Sequence, residues 1–112
     1  MVIEEHIVYG ALKDICENVV NTRNNVITTF PCIVFIEEAN NIVGTDLDFN
    51  YDTTLVRFKI DYYTKDSSNF IDKVIEIDNA MKGIGYLRTQ CSTVLDPQDD
   101  VLHKTFKYQK YI

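Results

Sequence analysis

The sequence has little of what catalysis, metal binding or export requires. It contains three cysteines and two histidines in 112 residues, and Cys16, Cys32 and Cys91 are too dispersed for a disulfide framework or a Cys-x-x-Cys site. No window approaches 18 uninterrupted apolar residues, and acidic residues stand near the N-terminus where a signal peptide carries basic ones. The sequence therefore predicts a cytosolic protein with no membrane segment, no metal site and no cofactor.

Positive charge is also scarce. The net charge is −6, the isoelectric point is near 4.7, and the 11 basic residues are scattered along the chain. This balance argues against a protein that binds nucleic acid by neutralising phosphates, because that mode needs clustered Lys and Arg. With 46% apolar and 25% charged residues, the chain is typical of one globular domain spanning residues 1–112.

One acidic pattern imitates a calcium site. Its side chains alternate along the chain as Asp46, Asp48, Asn50 and Asp52. An EF-hand loop needs Gly at its sixth position and a bidentate Glu at its twelfth, where this chain has Tyr51 and Arg57. A strand with a solvated acidic face explains the pattern without a metal ion.

The remaining candidates for chemistry have structural explanations. His6 and His103 have no sequence arrangement that makes a dyad with Ser or Cys, and nothing identifies Cys91 as an activated nucleophile. Gly83-x-Gly85 follows a predicted helix, whereas a phosphate-binding loop precedes one, so we expect one of these glycines to end the helix in a left-handed conformation. The sequence predicts no catalytic residue and no enzyme.

Hydrophobic periodicity predicts the order of the elements. The first half is predicted to contain a helix from Val2 to about Val20, a strand Cys32–Glu37, and a connecting loop Ala39–Gly44 within an extended arm or hairpin around 40–54. A strand Thr54–Tyr63 follows, and then a helix whose apolar stripe is Phe70, Val74, Ile77 and Met81, widened by Ile71 and Ile75. The last predicted strands are Tyr86–Val94 and Val101–Tyr111. Short turns between strands, with two amphipathic helices that must bury their apolar stripes, predict an α+β fold. It is a two-layer domain with a mainly antiparallel sheet and two helices packed on one face.

The arm supplies the candidate contact surface. Leu47, Phe49 and Tyr51 alternate there with Asp46 and Asp48, which suggests an exposed strand whose free edge could dock a partner. Aromatic residues exceed what core filling requires, and amphipathic rings suit subunit contacts. Further candidate contacts on or beside the predicted strands are Tyr63, Lys65 and Tyr108.

Several short motifs carry a family resemblance across nearly the whole chain. They are Phe30-Pro31-Cys32-Ile33 at the first strand, the run from Phe58 to Asp66 (FKIDYYTKD), the helix end and strand start from Met81 to Arg88 (MKGIGYLR), and Lys104-Thr105-Phe106-Lys107-Tyr108 in the last strand. With the N-terminal helix, this layout resembles the tail-completion or tail-terminator proteins that join heads to tails in long-tailed bacteriophages and prophages.

The resemblance implies a non-enzymatic ring, typically a hexamer, at the head-proximal end of the tail tube. Its implied partners are other copies of itself, the tail-tube protein and the head connector, with DNA only as passing cargo and no membrane. The implied location is the tail or neck of the virion, after assembly in the bacterial cytoplasm.

Other readings stay open at this point. Head-tail connectors or adaptors and minor capsid proteins share this size and layout. A small-molecule-binding or regulatory domain would use a pocket between helices and sheet and would remain a monomer or dimer. A small enzyme is the third alternative, although no nucleophile, base or metal set can be assembled from the sequence.

Overall fold

A computed structural model describes residues 2–21, 29–45, 52–94 and 100–112. The predicted arm residues Asp46, Leu47, Asp48, Phe49 and Tyr51 lie outside these ranges. The elements in chain order are α1 (Glu5–Leu12), β1 (Asn18–Asn21), β2 (Cys32–Thr45), β3 (Asp52–Thr64), α2 (Phe70–Gly83), β4 (Leu87–Val94) and β5 (Leu102–Tyr111).

The five strands form one sheet in the order β1-β2-β3-β5-β4. Strand β1 runs parallel to β2, and every other neighbouring pair is antiparallel. The predicted α+β class, with a mainly antiparallel sheet and two helices, is confirmed.

Strand alternation divides the sheet into a face covered by helices and an open face. Along β3, Val56, Phe58, Ile60 and Tyr62 are almost completely buried on the covered face, because side chains at alternate positions point to the same side of a sheet. Both helices contribute to the core on this face. Its fully or nearly fully buried members are Val8, Leu12, Ile33, Phe35, Val56, Phe58, Ile60, Tyr62, Ile77, Met81, Tyr86, Phe106 and Tyr108.

The first helix is shorter than the sequence predicts. It ends at Leu12, and Val19 and Val20 belong to β1, so the expected helix to Val20 is wrong beyond its first turns. Val8 and Leu12 do face the core as the stripe predicts. The β-branched pair at 19 and 20 favours a strand once β2 offers a neighbouring backbone to pair with.

The predicted loop Ala39–Gly44 is also wrong. These residues continue β2, which pairs with β3 as far as Thr45. The ladder is irregular between Glu37 and Ala39 and again between Ile42 and Gly44. Such bulges interrupt the alternation of side chains, and this hides the strand from a periodicity argument.

Helix α2 follows its predicted stripe in the centre and departs from it at the sides. Ile77 and Met81 are fully buried and Phe70 packs at the margin of the core. Ile71 and Ile75, expected to widen the stripe, are 65% and 52% exposed. The apolar surface of α2 is thus wider than the face that the sheet covers.

Gly85 ends α2 with a φ of 93°, which confirms the predicted left-handed glycine. A Cβ there would lie 3.2 Å from Lys110 Cε. We expect Gly85→Ala to lower the free energy of unfolding by about 1–2 kcal/mol, the cost of the left-handed conformation for an L-residue.

Gly10 is the matched control for this change. It is exposed within α1, and nothing lies within 4 Å of a Cβ built on it. Gly10→Ala should therefore raise stability by about 0.5–1 kcal/mol. Denaturant unfolding of both variants measures the two values, and a shift of the same sign at both positions would contradict the assignment.

Candidate functional site

The open face of the sheet carries a hydrogen-bonded group of side chains on β3 and β5. We call Asp61, Tyr63, His103 and Thr105 the open-face cluster. Asp61 pairs with Thr105 across the two strands, and Tyr63 pairs with His103 in the next row on the same face. The alternation that buries Ile60 on the covered face therefore also brings these four side chains together.

Asp61 is the centre of the cluster. Thr105 Oγ1 donates to Asp61 Oδ1 at 2.6 Å, and His103 Nε2 lies 2.8 Å from the same oxygen. Because a carboxylate only accepts, His103 must donate from Nε2. The rings of Tyr63 and His103 stack with centroids 4.1 Å apart.

The surroundings of Asp61 stabilise its charge. Burial by itself would raise the pKa of this carboxyl, but hydrogen bonds from His103 and Thr105 and the nearby charge of Lys59 outweigh burial and lower the pKa. Burial, with the charge of Asp61 as a second cause, raises the pKa of Tyr63 to about 12. At neutral pH the cluster holds an ionised Asp61 beside a neutral Tyr63 hydroxyl.

This arrangement does not form a nucleophile and base. The Thr105 hydroxyl donates its hydrogen bond to Asp61, and the His103 nitrogen nearest to Thr105, at 3.3 Å, is the one that donates to Asp61. His103 therefore has no lone pair directed at the hydroxyl. The geometry fits a network that fixes two strands side by side.

Asp61 gives a pH-dependence of stability. A carboxyl whose folded pKa lies below its unfolded value of about 3.9 contributes stability that is complete above that value and is lost as pH falls through the folded pKa. We expect Asp61→Asn to make the loss of melting temperature below about pH 4 shallower than in the wild type.

The control for this measurement is Glu76→Gln. It removes the exposed carboxylate of a helix pair with the partly buried Lys73, whose Nζ lies 3.1 Å from the Glu76 oxygen. Thermal unfolding at a series of pH values compares the three proteins. A profile for Asp61→Asn as steep as that of the wild type would show that Asp61 is not the group responsible.

Basic residues occupy the middle of the open face. Lys59 and Lys107 lie directly opposite each other, an arrangement that is unfavourable without nearby anions. Lys107 pairs with Glu38 and Lys59 with Asp61, each at 3.7 Å. The acidic chain thus presents a sheet face on which cations and carboxylates are balanced locally.

The two edges of the sheet form the second candidate surface. Within the described residues, β4 pairs with β5 alone and β1 pairs with β2 alone. Seven of the eight residues of β4 are exposed, and Val20 on β1 is 40% exposed. A strand edge with unpaired backbone groups is a template for pairing with another chain.

The predicted contact residues fall in different environments. Tyr63 lies in the open-face cluster, and Lys65 is exposed after β3, with Nζ 5.1 Å from the centroid of the Phe30 ring. Lys65 also lines a shallow open pocket of about 300 Å³ beside Phe30 and Pro31. The arm residues predicted with them, outside the described ranges, stay a prediction.

The prediction that Tyr108 is a contact residue is wrong. Its side chain is fully buried on the covered face, and its hydroxyl donates to Asp78 Oδ1 at 2.9 Å. It is therefore a core residue and presents no ring to a partner. Its position two residues after Phe106 in an alternating strand is the signal that indicates the inside of the sheet.

The three cysteines differ in their exposure to solvent. Cys32 is buried and Cys16 partly buried, and burial raises the pKa of both thiols. Cys91 is exposed on β4. Among residues 2–21, 29–45, 52–94 and 100–112, no three His, Cys, Asp or Glu side chains gather as a metal ion would require.

No protein-family model matches the chain, and no curated protein matches it. In the part of the chain that the structure describes, no helix has the length and apolar character needed to cross a membrane.

Proposed function

We propose that this protein is a structural component of virion assembly, a ring-forming tail-completion or tail-terminator protein at the head-proximal end of a phage tail tube. The observation that carries the proposal is the two opposite edges of one sheet, β1 and β4, at which no further strand pairs among the described residues. Two different surfaces on one subunit are what head-to-tail association needs, and such contacts close into a ring when the rotation between subunits permits it.

The electrostatics of the chain support the same proposal. The net charge of −6 disfavours tight binding of DNA that passes through a ring. Helix α2, Gly85 and strand β4 follow one another as the Met81–Arg88 motif of the resemblance predicts. The partners proposed with this function are other copies of the chain, the tail-tube protein and the head connector, within the tail or neck of the virion.

A test of this function measures the mass of the purified protein by light scattering over a concentration series. The protein is examined alone and with polymerised tail-tube protein from the same genome. A closed ring, formed alone or on the tube, is the expected result. A monomer or dimer that does not bind the tube would overturn the proposal and favour the ligand-binding alternative. A ring that binds purified connector but not the tube would favour an adaptor role.

A further inference from the structure

Four rows of paired residues cross the entire sheet from one edge to the other. In the first row, Asn18 pairs with Cys32, Cys32 with Tyr63, Tyr63 with His103 and His103 with Val94. The next three rows follow the same ladders. The outermost members of the four rows are Asn18 and Val94, Val19 and Thr93, Val20 and Ser92, and Asn21 and Cys91.

This register places the two edges at the same height along the strands. A second copy related by rotation about an axis parallel to the strands, without translation, would therefore bring Cys91–Val94 opposite Asn18–Asn21. Lack of translation matters because a rotation combined with a shift gives an open helix and not a closed ring.

Strand direction is also compatible. Strand β1 runs with β2, and three antiparallel pairings separate β2 from β4. Strand β4 is thus antiparallel to β1, and the same rotation would bring them together as an antiparallel pair. A continuous sheet would then run through neighbouring subunits.

Side chains at both edges permit this contact. Asn18–Asn21 and Cys91–Val94 contain no charged residue and no proline, the features by which natural edge strands avoid pairing. Val20 and Ser92 would face each other on the open face, and no like charges would be opposed. A hydroxyl beside a valine is sterically acceptable in such a pair.

We propose that β4 of one subunit pairs antiparallel with β1 of the next, in the register that sets Ser92 opposite Val20. The occupant of each edge is a second copy of this chain. This inference rests on the proposed ring-forming function and names the strands that would make the ring.

Engineered cysteines test the register directly. In a Cys91→Ser background, which removes the exposed thiol, Val20→Cys combined with Ser92→Cys should form intermolecular disulfides on mild oxidation, because directly opposed residues lie within reach of a disulfide. Non-reducing electrophoresis should show a series of linked oligomers. The matched control pairs Val20→Cys with Gln90→Cys, two residues away on the same strand, and should link several-fold less.

Two results of this experiment would overturn the inference. If the control pair forms disulfides to the same extent, the proposed register of Ser92 opposite Val20 is wrong. Linking by Ser92→Cys alone would indicate that β4 pairs with β4 of another subunit about a two-fold axis. Circular dichroism spectra that match the wild type are required for either result, because they show that the variants are folded.

Charge substitution provides an independent measurement in which the Cys residues are unchanged. Val20→Lys with Ser92→Lys should raise the concentration needed for assembly at least tenfold, and Val20→Lys with Ser92→Glu should restore assembly. Assembly of the double-lysine variant at the wild-type concentration would contradict the proposed contact.

The failure of this inference is distinguishable from failure of the proposed function. If rings form, alone or on the tube, but the Val20 and Ser92 cysteines do not link, the strand assignment is wrong and the ring function stands. If the wild type stays monomeric under both conditions, both proposals fail.

Discussion

Replacing Ile60 by Asp should abolish folding at room temperature. Ile60 is fully buried on the central strand β3, and its partners across the sheet are Phe35 and Phe106. Loss of the aliphatic side chain costs about 2–5 kcal/mol, and an unpaired carboxyl in the same place adds further desolvation. The sum approaches or exceeds the stability of about 5–15 kcal/mol that a domain has in total.

Ile75→Asp is the control for this variant. Ile75 lies on α2 and is 52% exposed, so a carboxylate there remains hydrated. The variant should change the free energy of unfolding by no more than about 0.5 kcal/mol. Far-ultraviolet circular dichroism and thermal unfolding distinguish the two. A cooperative melting transition for Ile60→Asp close to that of the wild type would contradict the core described above.

The second large effect is expected at Asp78, which connects α2 to the sheet. Its carboxylate accepts from the Tyr108 hydroxyl at 2.9 Å and lies 2.9 Å from Lys82 Nζ and 3.1 Å from Arg88 Nη1. Burial would raise the pKa of Asp78, but the hydrogen bonds from Lys82 and Tyr108 and the charge of Arg88 outweigh it and lower the pKa. Burial and the adjacent Asp78 raise the pKa of Tyr108.

We expect Asp78→Ala to lower the free energy of unfolding by about 2–4 kcal/mol, because it leaves the buried Tyr108 hydroxyl without its acceptor. Tyr108→Phe removes only the donor and should cost about 1 kcal/mol. The double variant should lose less than the sum, since the second change removes the group that the first left unpaired. Urea unfolding of the four proteins completes the cycle.

Glu76→Ala is a suitable comparison for Asp78→Ala. Glu76 is on the same helix and its carboxylate is exposed, so removal of its ion pair with Lys73 should cost less than about 1 kcal/mol. If Asp78→Ala and Glu76→Ala lower the free energy of unfolding equally, helix propensity and not the buried contact determines the effect. Strict additivity in the cycle would show that Asp78 and Tyr108 do not act together.

The sequence predicts this fold best where the pattern is regular and local. Strand β3 alternates without interruption from Val56 to Tyr62, and the centre of α2 repeats at Ile77 and Met81, so the pattern predicts the positions of both elements correctly. Strand β5 follows the same alternation from Phe106 to Tyr108. In each case the face that a side chain occupies is encoded within a few residues.

Prediction fails where a distant partner decides the conformation. Val19 and Val20 form a strand because β2 lies beside them, and the bulges of β2 break the alternation near Ala39. The hydrogen bond between His103 and Asp61 joins residues 42 positions apart. Spacing along the chain contains no information about such a contact until the register of β3 and β5 is known.

The strand order has a consequence for biosynthesis. Strand β5 is the last element of the described chain, yet it lies between β3 and β4 in the sheet. Among the described residues, β4 has no other neighbour, so it cannot join the sheet until the ribosome has released residues up to about Tyr111. Lys110 Nζ on that strand lies 3.3 Å from Glu4 Oε1, so β5 also contacts the residue that directly precedes α1. Folding of the complete sheet therefore requires β5, and in a nascent chain that lacks β5 the backbone edge of β3 that pairs with it is open.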